Sequence, residues 1–233
     1  LHDFFSISRR HLGVFAFERG DHDQALAALG AADQLRPDHT ETLNNLAVLH
    51  SMKGNYRRAE RLLQACVKID PNMSRAWDNL GMALYRQKRY ADARKAFEKE
   101  VELDPNAAFA HYNLGCALAA ENKMVEAQSA FERALDVAPA HIESMHNLAV
   151  LSSKSNTRDA AKELELYKKV LDVDPGYAPA HLSLGRFYQS EPSFRSVKKA
   201  LHHYRRYVAL EGTDQASVEE VQRTISALSK QRR

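Results

Sequence analysis

Residues Ser74–Ala107 read SRAWDNLGMALYRQKRYADARKAFEKEVELDPNA. Within them Trp77, Leu80, Gly81 and Tyr85 fall at helical spacing, Tyr90, Ala93 and Phe97 do so again, and Pro105 closes the run. The pattern recurs along the chain: Pro37, Pro71, Pro105, Pro139 and Pro175 stand 34, 34, 34 and 36 residues apart, each ending an amphipathic stretch. A helix pair of this length cannot bury its apolar face alone, so a fixed period near 34 residues predicts stacked pairs sharing one continuous core.

Superposing the stretches gives six repeats, at about 6–39, 40–73, 74–107, 108–141, 142–177 and 178–212, with a terminal helix over 213–233 in the same single domain. One column holds Leu12, Leu46, Leu80, Leu114, Leu148 and Leu184; the next holds Gly13, Ala47, Gly81, Gly115, Ala149 and Gly185. The small residue lets two helices approach closely. On the second helix Ala25, Ala59, Ala93 and Ala127 repeat that logic, with Leu29, Leu63, Phe97 and Phe131 one turn on. The fifth repeat is longer around Lys154–Thr157, the sixth has a longer turn at Ser190–Ser193, and Gly212 stands where a proline closes the others. Thr213 or Asp214 is the expected cap of a last helix whose Val218, Val221, Ile225 and Leu228 would cover the final repeat.

Trp77, Leu80, Gly81, Tyr85, Ala93, Phe97 and Pro105 resemble the tetratricopeptide repeat, and the resemblance extends over nearly the whole chain. It implies an all-α, right-handed α-solenoid: a superhelix of six helix-turn-helix repeats plus a C-terminal capping helix. It also implies that positions two, five, six, nine and twelve of each first helix turn toward a concave groove.

Composition agrees with a folded chain, at 44% hydrophobic and 27% charged residues. No stretch approaches the roughly 20 apolar residues of a membrane helix, and the chain reads as soluble, in cytoplasm or periplasm. The net charge of +3 is spread along the array, so no clustered basic face for nucleic acid is expected. Cys66 and Cys116 lie in different repeats without metal or redox spacing; Cys66 shares a column with Ala32 and Ala134 and reads as packing. His111 and His181 take the place of Trp77, and no histidine pair has ligand spacing. No nucleophile–base pair or phosphate loop is present, so no enzyme, metal or cofactor is expected. Residue 1 is Leu, which reads as a chain shortened or processed at its start.

The sixth position reads His11, Asn45, Asn79, Asn113, Asn147 and Ser183. An asparagine amide both donates and accepts, so a ladder of four can pair with successive peptide groups of an extended chain. It resembles the ladder of the O-linked N-acetylglucosamine transferases, which binds peptide backbone, although no transferase domain is present. The alternative is a local hydrogen bond between adjacent repeats. Met82, Tyr85, Phe109, Tyr112 and Cys116 occupy groove positions beside the ladder, flanked by Val48 and Val150, and His146 is a further groove residue. The carboxylate clamp of co-chaperones is not matched: Val14 and Asn79 stand where it needs asparagine and arginine.

The expected function is a scaffold or adaptor holding an extended peptide or partner segment in the groove. Three alternatives stand beside it: a pilotin-like assembly factor of a bacterial envelope machine, a targeting segment of a larger enzyme such as a glycosyltransferase, and a homo-oligomeric scaffold in which one copy's groove takes Leu1–Ile7 of the next.

Overall fold

The computed structural model describes residues 2–154, 159–210 and 215–231, and among these it is helical with no strand. The chain divides into two compact units, Leu1–Ala130 and Phe131–Arg233. Residues 155–158 and 211–214, on which most of the fifth-repeat insertion, Gly212 and the Thr213/Asp214 cap fall, lie outside the described residues, as does Leu1.

In the first unit α1 (His2–Glu18) pairs with α2 (His22–Leu35), α3 (Thr40–Met52) with α4 (Tyr56–Ile69), and α5 (Ser74–Arg86) with α6 (Tyr90–Leu103). There follow α7 (Ala108–Ala120) and α8 (Met124–Val137), within which the division falls. Each turn inside a pair needs one left-handed residue, and these recur at the chain's own period: Gly20 and Gly54 at φ 76°, Lys88 at φ 62°, Asn122 at φ 64°. Glycine adopts that conformation freely; lysine does so against its own Cβ. Asp21 caps α2 by accepting from the Gln24 N–H, and His39 caps α3 through Nδ1, 3.2 Å from the Thr42 nitrogen.

The column of small residues has a direct cause. A methyl added at Gly81 would overlap the Phe97 ring, one at Gly13 would meet the Leu29 side chain at 2.5 Å, and one at Gly185 would meet the Tyr204 ring at 2.5 Å. Each first helix thus rests on its own second helix at the point where the large second-helix residue fills the gap. Phe97, 1% exposed, contributes about 1.5–3 kcal/mol by burial. The Trp77 column is joined by a hydrogen bond as well as by packing: Trp77 Nε1–H donates to the Pro71 carbonyl at 2.8 Å. His111 Nε2 and His181 Nε2 lie 2.9 and 3.1 Å from the Pro105 and Pro175 carbonyls. A carbonyl only accepts, so each histidine carries its proton on Nε2 and preserves the indole's donor. The leucine column is buried at Leu46, Leu80, Leu148 and Leu184, but Leu12 is 41% exposed, and with Phe4, Phe5 and Phe15 it leaves an apolar stripe on α1.

The second unit contains α9 (Ile142–Lys154), α10 (Ala160–Val173), α11 (Ala178–Ser190), α12 (Val197–Leu210) and α13 (Gln215–Gln231). The longer turn before α12 holds a short 3₁₀ segment, Pro192–Phe194, pinned by the Ser196 N–H donating to the Tyr188 carbonyl at 2.8 Å. α13 packs on α12, with Val221 and Leu228 buried in the core of Leu164, Leu184, Phe187 and Tyr204. Its other side is polar, with Glu219, Gln222, Arg223 and Lys230 lining open surface. No helix among the described residues is long and apolar enough to cross a membrane.

Candidate functional site

In the first unit the first helices α3, α5 and α7 lie side by side, α3 against α5 and α5 against α7. The sixth-position asparagines Asn45, Asn79 and Asn113 stand at equivalent places on these three neighbouring helices and so form a row across them. The row is tied together across repeats. Asn79 Nδ2–H donates to Asn44 Oδ1 at 2.8 Å, and Asn113 Nδ2–H donates to Asp78 Oδ1 at 3.0 Å. In each case the sixth residue reaches back to the fifth residue of the preceding first helix, a separation of 35 in sequence. Asn45, one period earlier, borders an open recess of about 520 Å³ with Arg10, His11, Val14, His39 and Glu41.

The second unit carries the same register with different chemistry. His146, at the fifth position, lies with Nε2 3.1 Å from the Ser183 hydroxyl, at the sixth position of the next repeat. Its ring sits 5.9 Å from Tyr167 and 5.5 Å from Tyr177, and burial holds its proton affinity below the usual histidine range. Asn147 is half-buried next to it, and Val150 packs on the second unit's core.

Tyr85 packs edge-on against Tyr90 at 5.1 Å, and burial, then the neighbouring Cys116 thiol, raises its hydroxyl pKa. Met82 borders a recess of about 360 Å³ with Ser51, Met52, Tyr56 and Arg86. Phe109 is 65% exposed; Tyr112, Cys116 and Val48 are half-buried. Cys66 is buried, with Sγ 3.4 Å from the Thr40 carbonyl oxygen, and burial pushes its thiol up to about 11, which leaves it unreactive.

Two acidic residues, one on a first helix and one on a second, are absent from the reading by columns of asparagine. Asp78, accepting from Asn113, has its carboxyl pKa raised by burial. Glu100 on α6 stands in the column of Ala32, Cys66 and Ala134, a core position in every other case. It is 7% exposed, its Oε2 has no hydrogen-bond partner, and burial, then Asp78, then Asp104 lift its carboxyl to about 8. The signal was present in the sequence, since a glutamate among alanines and a cysteine departs from that column's chemistry.

Among the described residues no three histidine, cysteine or acidic side chains converge as a metal set. Models of the tetratricopeptide repeat match residues 16–83, 74–107 and 108–141. No curated protein matches the chain. Among solved structures, Pseudomonas aeruginosa PilF is similar at 21% identity and TM-score 0.77, over 96% of this chain and 99% of that one. MamA from Desulfovibrio magneticus RS-1 is similar at 23% identity and TM-score 0.68, over 74% of this chain and 96% of that one. YrrB, described as a tetratricopeptide-repeat protein with an unusual peptide-binding site, is similar at 22% identity and TM-score 0.65, over 75% and 89%. At these identities the likeness concerns the fold.

Proposed function

The chain belongs to the tetratricopeptide repeat family, and on that premise we propose that it is a protein-interaction scaffold whose row of first helices receives an extended peptide. Stacked helix pairs present a long surface rather than one deep pocket, which suits a segment of chain better than a small molecule. The carrying observation is the asparagine row of the first unit. Asn79 and Asn113 are each fixed by one amide N–H, which leaves a second N–H and the amide oxygen of a pre-oriented group to pair with peptide backbone. Holding the rotamer in advance lowers the entropy cost of binding. Asn45, with Val48, Met82, Tyr85, Phe109, Tyr112 and Cys116, completes the proposed contact set of the first unit, with exposed Phe109 its strongest apolar anchor; Asn147, His146 and Val150 are the corresponding proposed contacts of the second unit, taken by itself.

Backbone recognition is tested with a bound peptide whose alternate amides are N-methylated. The expected result is at least a tenfold loss of affinity on methylation, and a similar loss in an Asn79→Ala, Asn113→Ala variant of unchanged helicity. Equal binding of methylated and unmethylated peptides refutes the proposal. A second reading, self-assembly through α1, is favoured by the exposed Phe4, Phe5, Leu12 and Phe15. Light scattering that gives one monomer mass across a hundredfold range of concentration refutes it.

A further inference from the structure

Charge is nearly balanced over the chain, with 33 basic and 30 acidic residues, but one place in the first unit departs from that balance. A recess of about 750 Å³ opens where the turn before α4 meets the turn before α6, lined by Arg57, Arg58 and Arg61 of α4, by Tyr56 and by Arg89. No carboxyl is among its lining residues. Arg89 is engaged by Glu60 and Asp92, each at 2.7 Å, and Glu60 also accepts from Gln87 Nε2–H at 2.9 Å. The acid nearest the α4 arginines is thus committed elsewhere. Among the described residues no ion pair uses Arg57, Arg58 or Arg61, and all three are exposed.

Packing does not account for these arginines. Arg58 stands where the next two repeats have Asp92 and Glu126, and Arg57 where they have Ala91 and Val125. Arg61 follows Arg57 by four residues and Arg58 by three, the spacings at which like charges repel across a helix surface. An anion seated among them removes that repulsion. Their field reaches inward as well, since burial, then Arg58, then Lys53, holds His50 below the usual histidine range. Tyr56 lines a second recess too, of about 360 Å³, with Met52 and Met82. Met52 is 55% exposed and Met82 36%, and their unbranched thioethers adapt to an apolar side chain of almost any shape.

We propose that this edge of the first unit docks an acidic segment of a partner protein, with a short run of aspartates or glutamates in the arginine recess and an adjoining apolar residue, across Tyr56, in the methionine recess. The arginines lie on α4 and the turn before α6, away from the asparagine row, so the proposal goes beyond the groove reading and does not depend on it. Guanidinium groups grip carboxylates by paired N–H donors, which gives the site direction as well as charge. An anionic and an apolar subsite side by side suit a peptide. A nucleic acid needs a basic stripe that follows its phosphates, and a lipid surface needs a basic face rather than a recess.

The test uses the whole chain and fluorescein-labelled nonapeptides of glycine and serine with three central aspartates followed by leucine, measured by polarisation at low salt. In one control the aspartates are asparagines, and in another the leucine is serine. The aspartate peptide should bind roughly tenfold or more tightly than its asparagine control. Arg57→Gln, Arg58→Gln, Arg61→Gln together should abolish that ratio at unchanged helicity. Lys198→Gln, Arg205→Gln, Arg206→Gln, which removes the same charge from exposed positions of the second unit, should keep it. Met52→Ser should erase the difference between the leucine and serine peptides. Equal binding of aspartate and asparagine peptides overturns the proposal, as does a ratio that survives the α4 substitutions or falls as far in the second-unit variant. A single-stranded oligonucleotide or a phosphatidylserine vesicle that binds more tightly than the aspartate peptide, and is released by the α4 substitutions, assigns the arginines to another class of ligand and overturns it too. The methylated-peptide assay of the groove involves none of these arginines, so either reading can fail while the other stands.

Discussion

Glu100→Gln should make the first unit more stable as pH rises. In the unfolded chain this carboxyl ionises from about pH 4.5, while in the fold it keeps its proton until about 8. Between those values the unfolded state alone gains the free energy of ionisation, so the stability contributed by the protonated form is complete below 4.5 and is lost as pH rises through 8. At about 1.4 kcal/mol per decade of proton concentration, the loss is about 3 kcal/mol at pH 7 and about 5 kcal/mol above pH 8. The side chain is 7% exposed, so solvent screening discounts this little. Glutamine has the same length and cannot ionise. The assay is urea unfolding at pH 5, 7 and 8.5, followed by the fluorescence of Trp77, which sits on α5 of the same repeat. A local probe is needed because repeat arrays do not always unfold as one step. The variant should match the parent within about 1 kcal/mol at pH 5 and exceed it by several kcal/mol at pH 8.5. Identical pH profiles, or a variant less stable than the parent at pH 8.5, refute the reasoning.

The second unit should respond to pH in the opposite sense. His181 donates through Nε2 to Pro175, so its Nδ1 accepts from His203 Nδ1–H at 3.0 Å, and both rings are neutral. Burial, His181 and His202 hold His203 at about 4. Its folded pKa lies below the unfolded value of 6.5, so the stability it contributes is present above 6.5 and is lost as pH falls toward 4. The full shift corresponds to about 3 kcal/mol, reduced to about 1–2 kcal/mol by solvent at the half-buried ring. His203→Phe should flatten the acid limb measured by circular dichroism during urea unfolding, and an unchanged limb refutes the assignment. In the leucine column, Leu80→Ala should cost about 2–5 kcal/mol and Leu12→Ala under about 1 kcal/mol, since Leu80 is 5% and Leu12 41% exposed. Equal losses of denaturation midpoint would show that α1 is covered in solution.

Much of the fold was legible in the residues because the period does the specifying. Pro71 and Pro105 recur with Leu80, Gly81, Ala93 and Phe97, and one repeat read correctly gives the packing rule for its neighbours. Even the turns are partly legible, as Gly20 and Gly54, whereas Lys88 and Asn122 carry the same left-handed conformation with no glycine to announce it. The candidate site was legible as a column, and the asparagines were weighed between peptide pairing and local bonding. That Asn79 and Asn113 reach back to Asn44 and Asp78 could not be read from the chain, because residues 35 apart meet only when two first helices stack at one particular offset.

By itself the sequence determined the element type, the repeat length and which side of each helix is apolar, all consequences of local spacing that hold wherever the helices are placed. Only tertiary structure decided that a leucine in the shared column is buried at Leu80 and bare at Leu12, and that Glu100 is buried with one oxygen unpartnered. Burial and the loss of solvent that shifts a carboxyl depend on what stands opposite, and what stands opposite is set by packing between segments distant along the chain.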